Sequence, residues 1–301
     1  MPANRPGAVP VRLLVLHNPT AGTRHRRRFD AVADRLKAAG AALDLRRTGG
    51  PSDAKRLTRQ ADMAGYDRIV AAGGDGTVNE VVAGLIGRAG APPLALLPLG
   101  TANALAAEIG LDPRPGAVAR AILSGPARGV AIGRANDRPF VQVASVGFDA
   151  WAVATLNGAL KRRIGKGAYA WAALKLVFRF PFADYDVSVD GVAYRARSVV
   201  VANGRCYGGG AVIAPAADLG RASFQVCLFE NVGALNIGLH AAALFSGRLH
   251  RLGGVRIVTG RDIRISNGAA EPVQGDGDVI ARLPAEITIA DRRLDLVYPA
   301  E

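Results

Sequence analysis

The sequence predicts a two-domain chain: an α/β domain over residues 1–133, then an antiparallel, β-rich domain over 134–301. Three observations carry this. From residue 11 to about 133, apolar runs of strand length alternate with segments of helical periodicity. After 134, short strands follow one another, separated by turns such as Asp190-Gly191, Asn203-Gly204 and Asn267-Gly268. The length of 301 residues suits two domains of roughly 150 residues each.

The elements run as follows. VRLLVLHNP reads as a strand ending at Asn18-Pro19. RRFDAVADRLKAAG places Phe29, Val32, Ala33 and Leu36 on one helical face, and Gly40 ends it. ALDLRRT is a second strand. SDAKRLTRQADMAG is a helix with Ser52 at its N-cap, and Lys55 stands where a capping box wants an acid. DRIVAAGG and TVNEVVAGLIG, then PLALLPLG and TANALAAEIG, repeat the strand–helix unit. Such alternation argues for a mostly parallel sheet covered on both faces. In the second domain FVQVASVGFDA, DYDVSVDG, VAYRARSVVVANG, FQVCLFE, GVRIVTG, RDIRISNG, AEITIA and RLDLVYP read as strands. Helical pieces interrupt at roughly 150–180 and 233–246.

Composition narrows the partners. The net charge is +13, which suits an anionic partner such as nucleotide phosphates or an acidic membrane surface. No nucleic-acid module is recognisable, so nucleic acid is not expected. Two cysteines, Cys206 and Cys227, make no disulfide framework and fit a reducing cytoplasm. No signal peptide is read at the N-terminus, and no apolar stretch approaches the roughly 18–20 residues of a membrane span, so contact with lipid is expected from the side. His17, His25, His240 and His250 show no metal-ligand spacing and read as structural.

Gly73-Gly74-Asp75-Gly76-Thr77 lies between a buried strand and a helix. Glycines there let backbone approach a ligand, and the amides opening the helix face an anion. Thr77 can cap the helix or touch phosphate. Asp75 would be repelled by bare phosphate, so it ligates Mg²⁺, accepts a proton from an attacking hydroxyl, or caps the helix. Asn18-Pro19-Thr20-Ala21-Gly22 and Pro98-Leu99-Gly100-Thr101-Ala102-Asn103 end two other strands at the same expected edge, where open parallel sheets bind ligands. Neither GxxxxGK[ST] nor the dinucleotide fingerprint is present: Gly165-Lys166 is followed by Gly167, and Asn79 takes the last glycine's place.

NPTAG, GGDGTVNEV and PLGTANALA, in that order, resemble the diacylglycerol kinase catalytic domain family, which includes bacterial soluble lipid kinases, sphingosine kinases and ceramide kinases. ASVGFDA, NGRCYGGG, APAA and QGDGD extend the resemblance over most of the chain. It implies an N-terminal domain like that of NAD kinases and phosphofructokinases, a C-terminal β-sandwich, and a nucleotide in the cleft between them. It implies transfer of the ATP γ-phosphate, with Mg²⁺, to a lipid hydroxyl. By that resemblance Asn18, Thr20, Gly22, Thr48, Gly74, Asp75, Gly76, Thr77, Asn79, Glu80, Thr101 and Asn103 hold ATP or its metal, with Asp75 the metal ligand. Asp149 faces the acceptor's polar head or caps its helix. The family's Asp-Gly-Glu reads Asp276-Gly277-Asp278 here, which gives Asp278 the proton-acceptor role. Asp75 is the competing base and Asp276 orients either one. Asn103-Ala104-Leu105-Ala106 is nearer the sphingosine kinase form and mildly favours a sphingoid or ceramide-like acceptor. The segment that holds a structural metal in some bacterial members departs from pattern at Arg221-Ala222, beside Asp218.

Residues 159–182 place Lys161, Arg162, Arg163 and Lys166 before Tyr169, Trp171 and Phe178. A basic cluster beside an aromatic helix suits an anionic bilayer, and such a stripe also suits a core. The expected protein is cytoplasmic, held peripherally at the membrane's inner face, with a homodimer left open. Phosphorylation of a soluble nucleotide, as in NAD kinases, and a catalytically weak nucleotide- or membrane-binding protein are the competing readings.

Overall fold

The computed structural model describes residues 10–20, 23–155, 183–231, 233–267 and 270–300. The chain divides into two compact units. The first runs to Val130 and takes back the chain from Arg292; the second is Ala131–Asp291.

The first unit is built from β1 (Arg12–His17), α1 (Thr23–Ala38), β2 (Ala42–Arg47), α2 (Asp53–Gln60), β3 (Arg68–Gly73), α3 (Asp75–Leu85), β4 (Leu94–Pro98), α4 (Ala104–Glu108), α5 (Pro115–Ser124) and β5 (Ala127–Val130). Its sheet has the order β2-β1-β3-β4-β20-β5, where β20 is Leu294–Val297. All neighbours pair in parallel except β20 and β5. Leu13 to Leu16, Ile69 to Ala72 and Leu94 to Leu97 are buried, as the continuous apolar runs require of strands covered on both faces. Helix α1 packs on α5, and α2 on α3.

One strand differs from expectation. RLDLVYP reads from sequence as part of the second domain, yet β20 lies in the first sheet between β4 and β5. The alternation identifies a strand and its buried face. It carries no information on which sheet receives it, because Leu294, Leu296 and Val297 are buried wherever they pair.

The second unit is an antiparallel sandwich. One sheet has the order β10 (Val192–Ala196), β9 (Tyr185–Val189), β16 (Ile263–Ser266), β19 (Ala285–Ile289), β6 (Gly133–Ala135) and β7 (Arg138–Phe140). The other has β15 (Val255–Gly260), β14 (Phe224–Phe229), β11 (Ser198–Ala202), β8 (Val143–Val146), β17 (Pro272–Gly275) and β18 (Asp278–Arg282). Tyr185, Val187, Ile263 and Ile287 of the first sheet and Val146, Val199, Phe224 and Val273 of the second share one core. On the outer face of the second sheet, Val200, Cys227 and Phe229 form another core with a small hairpin, β12 (Cys206–Tyr207) and β13 (Ala211–Val212). Helix α7 (Ala234–Phe245) packs there through Ile237, Ala243 and Leu244. The Asp190-Gly191 turn has both residues at positive φ, 49° and 85°, and joins β9 to β10 as a tight hairpin. Helix α6 (Phe148–Thr155) opens the first expected helical piece; residues 156–182, with Lys161, Arg162 and Arg163, lie outside the described residues.

Candidate active site

The carboxyl ends of β1, β2, β3 and β4 are tied into one edge. Thr48 N donates to His17 O (2.9 Å), joining the end of β2 to that of β1, and Asn18 N donates to Ala72 O (2.9 Å), joining β1 to β3. Asn18 Nδ2 reaches Thr77 Oγ1 (3.3 Å), and Asn18 Oδ1 accepts from Thr20 N (3.0 Å) and Thr20 Oγ1 (2.7 Å). Leu99 N donates to Gly73 O at 2.8 Å, joining β4 to β3. Gly74 and Gly100 then touch backbone to backbone: a Cβ on Gly100 would lie 2.6 Å from Gly74 Cα. Asn103, at φ 48°, braces its loop by accepting from Gly100 N (2.8 Å) and donating to Gly100 O (2.7 Å). Thr77 is buried, Gly76 and Thr101 are exposed, and Asn79 is partly buried on α3. Gly22 lies outside the described residues.

Arg28 Nη1 donates to Pro98 O at 3.4 Å and so brings a cation to this edge. His17 stacks on Phe29 at 4.0 Å, and its buried Nδ1 has no hydrogen-bond partner among the described residues. Burial, then the Arg47 charge, lowers the His17 pKa against the opposing pull of Asp30.

The two acids of GGDGTVNE both serve neighbouring helices. Asp75 Oδ1 accepts from Ala104 N (2.7 Å), at the start of α4. Burial raises its pKa, and the amides of Ala104, Asn103 and Leu105 act the other way. Glu80 accepts from Ser52 N (2.7 Å) with one oxygen and from Ala54 N (3.0 Å) with the other, at the start of α2. Ser52 holds the N-cap position at φ 67° but makes no side-chain cap bond, so the missing acid of the capping box is supplied from α3. Among the described residues no group of three or more His, Cys, Asp or Glu is placed to hold a metal ion. A single carboxylate, Asp75, could hold Mg²⁺ only together with ligands from a bound molecule, not as a protein cage.

A second polar centre lies within the sandwich unit. Asp149, on α6, accepts from the hydroxyls of Ser145 and Tyr207 and from Gln274 Nε2 (3.0 Å). Burial raises its pKa; the bonds from Ser145, Tyr207 and Gln274 oppose that in this order. Gln274 Oε1 also accepts from Gly277 N (2.9 Å), which fastens the QGDGD turn to Asp149. ASVGFDA, NGRCYGGG and QGDGD, distant in sequence, therefore meet at one carboxylate. The sequence reading named Asp149 but not Ser145, Tyr207 or Gln274. The i, i+4 spacing of Ser145 and Asp149 on a strand-to-helix turn was the available signal.

Asp276 is placed differently from the orienting role. At φ 49°, it accepts from three successive amides, Val141 N (2.6 Å), Gln142 N (2.9 Å) and Val143 N (2.9 Å). Asp278 opens β18 with an exposed side chain, opposite Gly275 in the ladder. Asp218 forms a turn, accepting from Gly220 N (2.9 Å), and pairs with Arg221 at 3.5 Å.

Comparison with known proteins identifies relatives over most of the chain. Residues 12–135 match the family model of the diacylglycerol kinase catalytic domain. Residues 142–298 match that of the YegS C-terminal NAD kinase beta sandwich-like domain. A protein of Pseudomonas putida named "Probable lipid kinase YegS-like" is 35% identical over 268 residues, covering 87% of this chain and 88% of its own. A protein of Bacillus subtilis named "Diacylglycerol kinase" is 26% identical, covering 96% of this chain and 97% of its own. A crystal structure of a diacylglycerol kinase from Bacillus anthracis superposes with a TM-score of 0.74 at 21% identity, covering 96% of each chain.

Proposed function

The chain belongs to the diacylglycerol kinase catalytic domain family of lipid kinases, and from that premise we propose that it transfers the γ-phosphate of ATP, with Mg²⁺, to a lipid hydroxyl of the diacylglycerol, sphingoid or ceramide class. The observation that carries this reading is the tied edge of β1 to β4. Asn18, Gly74, Thr77, Gly100 and Asn103 are cross-linked there, and α3 starts from it at Asp75. Amides at a helix start bind phosphate without a side-chain cation. Thr20, Gly76 and Thr101, exposed around that edge, supply further polar contacts. Thr48 ties the end of β2 to β1, Glu80 holds α2, and Asn79, on α3, adds a further polar side chain.

Mg²⁺ carried on the phosphates would neutralise their charge, with Asp75 as its protein ligand. Asp75 has one oxygen committed to α4, and Asp276 has both committed to backbone amides. We assign proton acceptance from the lipid hydroxyl to Asp278, which stands exposed at the start of β18 where the family's Asp-Gly-Glu has its acid. Asp149, held by three donors, receives the acceptor's polar head.

Incubation with labelled ATP, Mg²⁺ and a panel of diacylglycerol, sphingosine, ceramide and NAD tests the reading. Label in the lipid extract is the expected result. Label in NAD alone would identify a soluble-nucleotide kinase, and bound ATP with no product would identify a binding protein. With an active acceptor in hand, Asp278→Asn is expected to lower kcat by about 10²–10⁴-fold, the range for removal of a general base. Full turnover in that variant removes Asp278 from the reaction.

A further inference from the structure

Helix α7 carries an apolar stripe that the sandwich core does not use. ALNIGLHAAALF contains no Asp, Glu, Lys or Arg, and its His240 packs edge-on against Phe229 at 5.0 Å with a pKa lowered by burial. Ile237, Ala243 and Leu244 pack on the outer face of the second sheet. The opposite side holds Leu235, Leu239 and Phe245, which are 78%, 48% and 81% exposed. Leu235 and Phe245 are the two most exposed large apolar side chains among the described residues. Positions 235, 239, 242 and 245 follow i, i+4, i+7, i+10 and so fall on one face. A helix apolar on both sides is ordinarily buried on both.

The chain around this stripe has one sign of charge. From Asn231 to Arg261 there are four arginines, Arg248, Arg251, Arg256 and Arg261, and no acidic residue. Arg256 pairs with Glu230 at 3.4 Å, and Arg261 Nε is held by Ala222 O at 2.7 Å. Arg248 and Arg251 are exposed. Both sit at the end of the stripe: Arg248 N donates to Ala243 O (2.8 Å) and Gly247 N to Leu244 O (3.1 Å), a tight C-terminal cap that turns the chain back beside Phe245. The buried Leu249 then anchors the turn in the outer core, which keeps Arg248 and Arg251 near the helix end.

We infer that the exposed stripe of α7, with Arg248 and Arg251 at its end, is the surface by which this chain docks on an anionic lipid bilayer. The inference rests on the lipid kinase reading for its purpose, and on α7 alone for its location. The stripe's dimensions favour a bilayer over a second copy of the chain. Twelve residues span about 18 Å, and an interfacial helix sinks its apolar face about 5–10 Å into the headgroup boundary. A stable protein interface needs about 20–30 residues a side, far more than this stripe offers. The arginines add charge attraction to anionic headgroups.

Vesicle sedimentation with the full chain tests this. Vesicles of phosphatidylcholine with phosphatidylglycerol are compared with vesicles of phosphatidylcholine alone. The wild type is expected to sediment with the anionic vesicles. The Leu239→Glu/Phe245→Glu pair is expected to lose at least five-fold in bound fraction. Arg248→Glu/Arg251→Glu is expected to lose the preference for anionic vesicles. Val192→Glu, at another exposed apolar position, is expected to bind like the wild type. Unchanged melting temperatures show that the variants are folded. Wild-type binding by the Leu239→Glu/Phe245→Glu pair overturns the inference. So does a wild type that sediments with neither vesicle, or one that is a dimer in buffer and becomes monomeric through that pair. A short-chain, water-soluble acceptor separates docking from chemistry, since the α7 variants should phosphorylate it as the wild type does. If no lipid takes phosphate but binding still depends on α7, docking stands and the kinase reading falls.

Discussion

Gly74 and Gly100 show what the tied edge of β1 to β4 demands of single residues. Neither lies at positive φ, so neither is glycine for backbone freedom. The reason is proximity: a Cβ on Gly100 would stand 2.6 Å from Gly74 Cα and 2.8 Å from Asn103 Oδ1. Gly100→Ala must push the two loops apart, at about 1–3 kcal/mol for an overpacked site. Since that spacing sets the edge, ATP affinity is expected to fall about ten-fold, which corresponds to 1.4 kcal/mol. Titration of ATP binding checks it, and unchanged affinity would show that the loops do not grip the nucleotide together. Asp149 carries a different prediction. Its pKa is raised in the fold, so the folded state holds a proton more readily than the unfolded chain does. The ionised carboxylate therefore costs stability above the ordinary carboxylate value of about 4, and the cost grows as pH rises towards the folded value. In an Asp149→Asn variant the side-chain oxygen would keep the donor from Gln274, while the Tyr207 hydroxyl turns to accept from the new amide. That variant should thus gain in melting temperature over the wild type at pH 8, and the gain should shrink towards pH 4. A pH-independent difference would show that the charge carries no penalty.

At the scale of elements, α3 organises the first unit by serving two helices besides itself. Asp75, in its first turn, holds the start of α4, and Glu80 holds the start of α2. Glu80→Ala leaves Ser52 N and Ala54 N without their acceptor. Loss of a helix cap costs about 0.5–2 kcal/mol, and two amides place this change at the upper end. Urea denaturation should show a loss of about 2 kcal/mol, and hydrogen exchange should rise first in α2. Equal protection in α2 would remove the capping role. The sequence made the strands, the helices and the glycine turns legible because each is written in local periodicity. Asp75 and Glu80 were legible as special from their motif, but the amides that these two satisfy come from loops 29 and 28 residues away, which no local pattern discloses. The polar cluster of Ser145, Tyr207 and Gln274 escaped for the same reason. Its members lie in three recognisable motifs, but only the register of β8 against β17 and the course of β12 bring them to Asp149.

At the scale of the whole chain, the sandwich unit interrupts the first unit in sequence, between β5 and β20. The chain leaves the first unit at Val130 and returns at Arg292, and the returning strand β20 separates β4 from β5. Among the described residues β5 has no strand neighbour besides β20, so removing β20 detaches β5 from the sheet. Leu294, Leu296 and Val297 are buried in that strand. At about 1.5–3 kcal/mol each, they contribute about 5–9 kcal/mol, comparable with the roughly 5–15 kcal/mol that holds a typical domain together. Residues 1–130 alone should therefore not fold. The ends to be rejoined are adjacent, because Val130 and Leu294 pair across the antiparallel β5–β20 ladder. A short glycine-containing turn from Val130 to Arg292 closes it as a hairpin. Residues 1–130 fused in this way to 292–301 should unfold cooperatively on heating and bind ATP. Residues 131–291 contain the whole of both sandwich cores and should also unfold cooperatively by themselves. Circular dichroism melts of the three fragments decide the matter. A cooperative transition in 1–130 alone would mean that β20 decorates the first unit rather than completing it.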